Sequence, residues 1–264
     1  MSKNRVRYYS DEKNDDFARL NIKTKPLGDN YKYEHDNIVW NTCSCVTYRF
    51  IAQPLIFVFI KIIHKQKFKN RKVIRKVKHS GAFIYANHTN SILDAAVPNL
   101  VKPSKRNYII VNPNATSIPG IKNLVEMLGA IPIGETLSEN KKMVKCINHH
   151  INDGKFVTIY PEAHIWPYYT GIRDYEAVSF GYPCYTNTPS FTITNCYQKK
   201  LVGKRPKVVS YVDGPFYPDT SLPLRERKEK LRNECYIAME RRAKENSTYS
   251  YIKYEKIEKT DCLN

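Results

Sequence analysis

This sequence predicts an α/β fold. A central mixed, mostly parallel sheet is flanked by helices, and an interfacial helical segment precedes it. Three observations carry that expectation. From residue 80 onward, short β-branched runs alternate with helix-like stretches, as expected for strands joined by crossover helices. Several of the strand runs are bounded by Gly, Pro or Asn, which close strands at turns. Ahead of them, an apolar stretch at 38–63 runs directly into a dense basic cluster. At 264 residues the chain is long enough for one such domain plus an N-terminal element.

Taken in order, residues 1–37 are polar and charge-mixed, typified by Asp11–Asp16, and read as an arm with short order around Phe17–Ile22. Residues 38–79 read as a membrane-associating unit. The uninterrupted apolar run Leu55–Ile60 is far shorter than the roughly 20 residues a spanning helix needs. Arg49, Gln53, Pro54 and Lys61 interrupt the wider stretch. One or two interfacial helices are therefore expected, with Pro54 at a first turn or a kink; a buried core helix is the alternative. No acidic residue lies between Asp36 and Asp94, while ten bases do, nine of them from Lys61 to Lys78. An apolar helix followed at once by bases fits docking on anionic lipid.

Residues 80–246 read as the α/β domain. Strands are expected at Ala82–Ala86, Tyr108–Val111, Ala130–Ile133, Phe156–Tyr160, Ser190–Thr194 and Val208–Val212. Helices are expected at Ser91–Leu100, Ile118–Leu128, Glu139–Asn152 and Leu224–Lys244. The tail, 247–264, reads as loosely ordered.

Composition narrows the function classes. The balance of 43 Lys+Arg against 25 Asp+Glu gives a net charge of +18 and calls for a polyanionic partner, a membrane surface or a nucleic acid. Seven Cys form no regular framework, and no secretory signal peptide opens the chain, so free thiols in a reducing compartment are expected. Cys43 and Cys45 are too close for a usual zinc knuckle and no CxxC occurs, so no metal site is expected.

The chemistry concentrates at strand ends. Phe83–Ala86 leads into Asn87-His88, with Asp94 six positions after the His. A His near a carboxylate is a minimal kit for taking a proton from a hydroxyl at neutral pH. On one helix, positions six apart point about 120° from each other. For the two to meet, His88 must lie in the turn before the helix and Asp94 in its first turns. Ser91-x-x-Asp94 also fits a capping box, so Asp94 has a purely structural reading as well. A second strand ends in Tyr160-Pro161-Glu162-Ala163-His164, where Glu162 could bind a hydroxyl or be a plain loop carboxylate. A third block, Gly129-Ala-Ile-Pro-Ile-Gly134-Glu135, has glycines that permit close backbone approach. Ser91 beside His88 invites a serine-hydrolase reading, but no Gly-x-Ser-x-Gly elbow is present.

In this order and spacing the blocks resemble the glycerolipid acyltransferase family that includes 1-acylglycerol-3-phosphate acyltransferase. Asn87-His88…Asp94 is similar to that family's Asn-His-x4-Asp block, with five intervening residues here. Gly129–Glu135 is loosely similar to the second block but lacks its Arg. Tyr160-Pro161-Glu162 is similar to the Pro-Glu-Gly-Thr-Arg block, with Ala163-His164-Ile165 in place of Gly-Thr-Arg. Pro183–Pro189 and Phe191–Thr194 stand where the fourth block is expected. The resemblance spans roughly 38–218.

It implies a single acyltransferase domain that moves a fatty acyl group from acyl-CoA or acyl-carrier protein to a hydroxyl of a lysophospholipid or related glycerolipid. His88 is then the general base and Asp94 its orienting partner. Asn87, Thr89, Glu162 and Arg173 are assigned to substrate, Arg173 standing in for the absent family Arg. Backbone N–H groups near Thr89–Ser91 are the expected oxyanion donors. The acyl donor is a co-substrate, and no cofactor is implied. The expected partners are the donor, the lysophospholipid and an anionic membrane; the expected place is the cytoplasmic face of the cell membrane, peripheral or monotopic. The alternative class is a non-enzymatic basic protein binding RNA or an anionic membrane surface. Against RNA, no RNA-recognition motif, helix-turn-helix or zinc finger is evident, and nucleic acid is not the expected partner.

Overall fold

The computed structural model of the chain describes residues 5–18, 25–28, 31–77, 79–118, 120–203 and 205–257. A seven-stranded sheet runs through it in the order β2-β8-β7-β3-β6-β4-β5. Its strands are β2 (Lys67–Lys69), β3 (Ala82–Ala86), β4 (Asn107–Val111), β5 (Ala130–Pro132), β6 (Phe156–Ile159), β7 (Ser190–Gln198) and β8 (Lys207–Phe216). β7 and β8 pair antiparallel, and every other neighbour pair is parallel, so the sheet is mixed and mostly parallel as expected.

β3 sits at the centre, hydrogen-bonded to β6 on one side and β7 on the other. Its five residues are all buried, as suits a strand covered on both faces. Alternation sorts them. Phe83 and Tyr85 face one apolar cluster with Met143 and Ile147 of helix Leu137–Asn152 and Leu231, Cys235 and Met239 of helix Leu224–Asn246. Ala82, Ile84 and Ala86 face the other, with Leu93, Val97 and Leu100 of helix Ser91–Val101 and with Ile60. All ten expected strands and helices of the domain are present. The helix expected at Ile118–Leu128 is shorter, Lys122–Met127, and Pro119 lies outside the described residues.

Residues Ile38–Ile63 form one continuous helix of 26 residues, long and apolar enough by length and composition to cross a membrane. Of the one or two helices expected, one is present, and it runs unbroken through Arg49, Gln53 and Pro54; the expectation that the stretch falls well short of a spanning length is corrected. Those polar side chains turn inward instead of interrupting the outer face. Arg49 donates to the carbonyls of Pro103 and Ser104, and Gln53 Nε2 donates to Pro103 O at 2.9 Å. Pro54 is carried between two π-helical stretches, Thr47–Ala52 and Val58–Ile63, which alter the hydrogen-bond ladder around the residue lacking an N–H. One stripe docks on the domain: Ser44, Tyr48 and Ile60 are buried. Phe50, Ile51, Leu55, Phe57, Ile62 and Ile63 remain exposed.

The arm and tail also differ from expectation. β1 (Val6–Tyr9) and β9 (Lys253–Lys256) pair as a separate two-stranded parallel sheet. Aromatic burial draws them together. Tyr9, Phe17 and Tyr254 surround the buried Trp166 ring at centroid distances of 4.8, 5.4 and 4.7 Å. Residues 19–22 of the expected short order, Lys78 of the basic cluster and tail residues 258–264 lie outside the described residues.

The Tyr48 hydroxyl anchors the long helix. It donates to Asn99 Oδ1 at 2.6 Å and accepts from Asn107 N at 3.0 Å, and Tyr48 is 1% exposed. Tyr48→Phe leaves two buried polar groups without this partner. The expected loss is about 1–3 kcal/mol of unfolding free energy, read from urea denaturation.

Candidate active site

His88 lies in the turn after β3, at the carboxyl edge of the sheet, where parallel α/β folds place their ligands. Each residue around it is held by a bond that the local sequence supplies. Asn87 ends the strand by mimicking backbone pairing with β7: Nδ2 donates to Asn195 O at 3.1 Å and Oδ1 accepts from Asn195 N at 2.8 Å. Thr89 Oγ1 accepts from the Tyr197 hydroxyl at 2.7 Å. The carbonyls of His88 and Thr89 accept from Trp166 N and Tyr168 N, each at 3.0 Å. The turn is thus pinned from β7 and from the loop after β6.

His88 Nδ1 lies 2.9 Å from Asp94 Oδ2. Asp94 is 1% exposed, whereas the His88 side chain keeps 18% exposure. Nε2 is the ring nitrogen that this contact leaves unengaged. Asn90 caps the helix by accepting from Leu93 N at 3.1 Å, and Asp94 Oδ2 accepts back from Asn90 N at 2.7 Å. Asp94 therefore fills both of its sequence readings: it braces the helix start and holds the histidine. The cap itself is Asn90, one residue earlier than the Ser91-x-x-Asp94 pattern suggests.

Burial pushes the Asp94 carboxyl above its usual range, and the His88 contact with the N–H groups of Asn90 and Thr89 pulls it back. Those two N–H groups serve Asp94, so they are not aimed at an oxyanion as the sequence suggested. Tyr160 completes the wall. Its ring stacks on the imidazole at 4.5 Å and its hydroxyl donates to the Asp94 carbonyl. Burial holds the phenol far above its usual titration range, so it stays a donor.

Glu162, after β6, sits directly beneath this turn. Its Oε2 accepts from His88 N at 3.2 Å, and its Oε1 accepts from Arg173 N at 3.1 Å. Arg173 Nη2 closes the ion pair at 3.3 Å, and both side chains are fully out of solvent. Arg173 also donates to the carbonyls of His164 and Glu12, and its guanidinium lies 5.0 Å from the Trp166 ring centroid. Burial raises the Glu162 carboxyl, opposed first by the Arg173 charge and then by the two backbone donors.

Four residues assigned to substrate from sequence, Asn87, Thr89, Glu162 and Arg173, are accordingly buried and spent on protein partners. They shape the turn that carries His88. Arg173 in particular has no free fork to offer a phosphate. The Gly129–Glu135 block lies around β5 at the sheet edge, three strand spacings or roughly 14 Å from β3. Residues missed in the sequence are Tyr160 as the stacking wall, Asn195 and Tyr197 on β7, and Trp166. Tyr160 was adjacent to the Pro-Glu pair, but nothing in the sequence said that its ring meets His88. Among the described residues, no cluster of three or more His, Cys, Asp or Glu could hold a metal ion.

Residues 63–181 match the family model described as Acyltransferase. The match covers just under half of the 264-residue chain. Its fold is similar to that of a solved structure, the 1-acyl-sn-glycerophosphate (LPA) acyltransferase PlsC from Thermotoga maritima. The TM-score is 0.52 at 13% identity, over 73% of this chain and 80% of that one. No curated protein matches the chain. The matched acyltransferase segment begins at the last residue of the long helix and contains the His88 turn, Asp94, Tyr160, Glu162 and Arg173.

The buried ion pair gives a quantitative test. Removing one partner of a buried pair strands the other charge, which costs about 3–5 kcal/mol. Glu162→Gln and Arg173→Met should each lose stability on that scale in urea denaturation. The double variant should lose clearly less than the sum, because no stranded charge remains. Additive losses would mean that the two groups are not coupled.

Proposed function

We propose that this protein is an acyltransferase that moves a fatty acyl group from a thioester, acyl-CoA or acyl-carrier protein, to the free hydroxyl of a lysophospholipid or related glycerolipid. The observation that carries the proposal is the His88–Asp94 contact at 2.9 Å, with the carboxylate buried and the histidine side chain 18% exposed. His88 Nε2 takes the proton of the acceptor hydroxyl as its oxygen attacks the thioester carbonyl carbon. The C–S bond then breaks, and the proton passes from the imidazolium to the departing thiolate. Asp94 fixes the ring orientation and stabilises the imidazolium as it forms, the part a carboxylate plays in a catalytic triad. The hydroxyl attacks directly, without an acyl-enzyme.

The upward push on the Asp94 carboxyl suits that role, since a desolvated carboxylate gains most from a cation forming beside it. Arg173 is a positioning residue here, and acceptor phosphate is left to solvent-facing bases. An acyl chain and a lysophospholipid both reside in membranes, so the exposed apolar face of helix Ile38–Ile63 and the basic residues after it are assigned to an anionic membrane surface. We assign residues 38–79 to this membrane contact and 80–246 to acyl transfer, at the cytoplasmic face as a peripheral or monotopic protein. The same juxtaposition of apolar face and bases favours a membrane over RNA as the polyanion.

The test is a product assay. Purified protein is incubated with labelled acyl-CoA or acyl-carrier protein and a panel of lysophospholipids, and the lipids are separated. Transfer to at least one acceptor is expected. His88→Ala should lower kcat by about 10²–10⁴-fold while circular dichroism stays unchanged. Asp94→Asn should also lower kcat strongly. Full activity in His88→Ala would remove the mechanism.

A further inference from the structure

The β7–β8 hairpin tip presents two apolar side chains to solvent. Leu201 is fully exposed and Val202 nearly so, and neither packs on the domain. Lys199 and Lys200 precede them and Arg205 follows. No acidic residue occurs between Glu176 and Asp213, so the tip-proximal part of the hairpin, through Val212, carries only positive charge. Isolated exposed apolar residues are common and need no explanation. This pair is not isolated, because of where the sheet topology puts it.

β7 runs parallel to β3, with Ala86 opposite Ile193. The remaining residues of β7, through Gln198, continue past the end of β3, and the tip lies beyond them on the same edge as His88. β2 is parallel to β8, with Lys67 opposite Val209, so His64 at the end of the long helix lies beside the hairpin. The His64 imidazole registers this. Burial lowers its pKa first, and the charges of Arg205 and Lys200 lower it further. The exposed Ile62 and Ile63 immediately precede it. One edge of the molecule therefore gathers the end of the apolar helix, an apolar hairpin tip, a set of bases and the partly exposed His88.

We propose that the Leu201–Val202 hairpin tip is a second membrane-contacting element, which inserts into an anionic bilayer with Lys199, Lys200 and Arg205 at the headgroup phosphates. The occupant is a lipid surface of negative charge. An apolar tip ringed by bases without any acid matches that chemistry, and the tip continues from the apolar helix end. Together the helix end and the hairpin hold the sheet edge against the bilayer. A lipid hydroxyl then reaches His88 without leaving the interface. The proposal rests on the anionic-membrane partner proposed above, but its test needs no turnover.

Co-sedimentation of the full chain is measured with phosphatidylglycerol-rich vesicles and with phosphatidylcholine vesicles, without donor or acceptor. L201D/V202D should bind both vesicle types about tenfold or more weakly, with an unchanged circular dichroism spectrum. K199E/K200E should weaken binding only to the anionic vesicles, since each base near such a surface strengthens binding about fivefold. In V202W, the introduced indole should shift to shorter emission wavelength on vesicle addition and be quenched by brominated lipid. Wild-type partition in L201D/V202D overturns the proposal, as does an indole in V202W that stays unquenched. Loss of binding in I62D with wild-type binding in L201D/V202D assigns the membrane contact to the helix alone. An enzyme inactive in the product assay but bound through the tip would separate this proposal from the catalytic one.

Discussion

The arrangement depends on one buried carboxylate, Glu162, placed between a backbone N–H and a guanidinium. Taking Glu162 and Arg173 out of water costs several kcal/mol for each ion. The cost is offset by partners on both sides: His88 N and Arg173 N donate to Glu162, and Arg173 donates to the carbonyls of His164 and Glu12. This geometry joins the end of β3, the end of β6, the loop to Arg173 and the N-terminal arm at one point. His88 is held by its own backbone as well as by its ring. A histidine on a loose loop could meet Asp94 only part of the time. Here the turn is fixed before any substrate arrives, which is the preorganisation that base catalysis draws on.

Asp94 shows how a single side chain can serve fold and site together. Its Oδ2 closes the helix start through Asn90 N and meets His88 Nδ1 in the same small space. Because Oδ2 already accepts from a backbone donor, it acts as an acceptor toward the ring too. That fixes the imidazole so that Nδ1 bears the proton and Nε2 bears the lone pair. Tyr160 closes one ring face.

The elements of the sheet were legible because their signals are local. Phe83-Ile-Tyr-Ala86 is apolar on both faces, as a central parallel strand must be. The His88–Asp94 pair was legible because both residues lie within one turn-plus-helix unit. What was not legible depends on distant partners. Arg173 reads as a free cation in sequence, yet its carboxylate lies eleven residues earlier across a loop that only the fold closes. The termini read as loose because short polar strands carry no pattern until Trp166 supplies a surface for Tyr9, Phe17 and Tyr254. The spanning length of the long helix was missed because Arg49 and Gln53 look like interruptions in sequence, whereas they donate to the Pro103 and Ser104 carbonyls.

The central claim is that Asp94 fixes His88 with its Nε2 lone pair facing the substrate. Nitrogen-15 NMR of the histidine-labelled protein tests it most directly, with the His88 signals assigned by their absence in the His88→Ala variant. In the neutral ring, the account predicts a protonated Nδ1, protected from solvent exchange, and an unprotonated Nε2. In Asp94→Asn this preference should be lost. A wild-type His88 with the proton on Nε2, or with both tautomers exchanging freely, would contradict it.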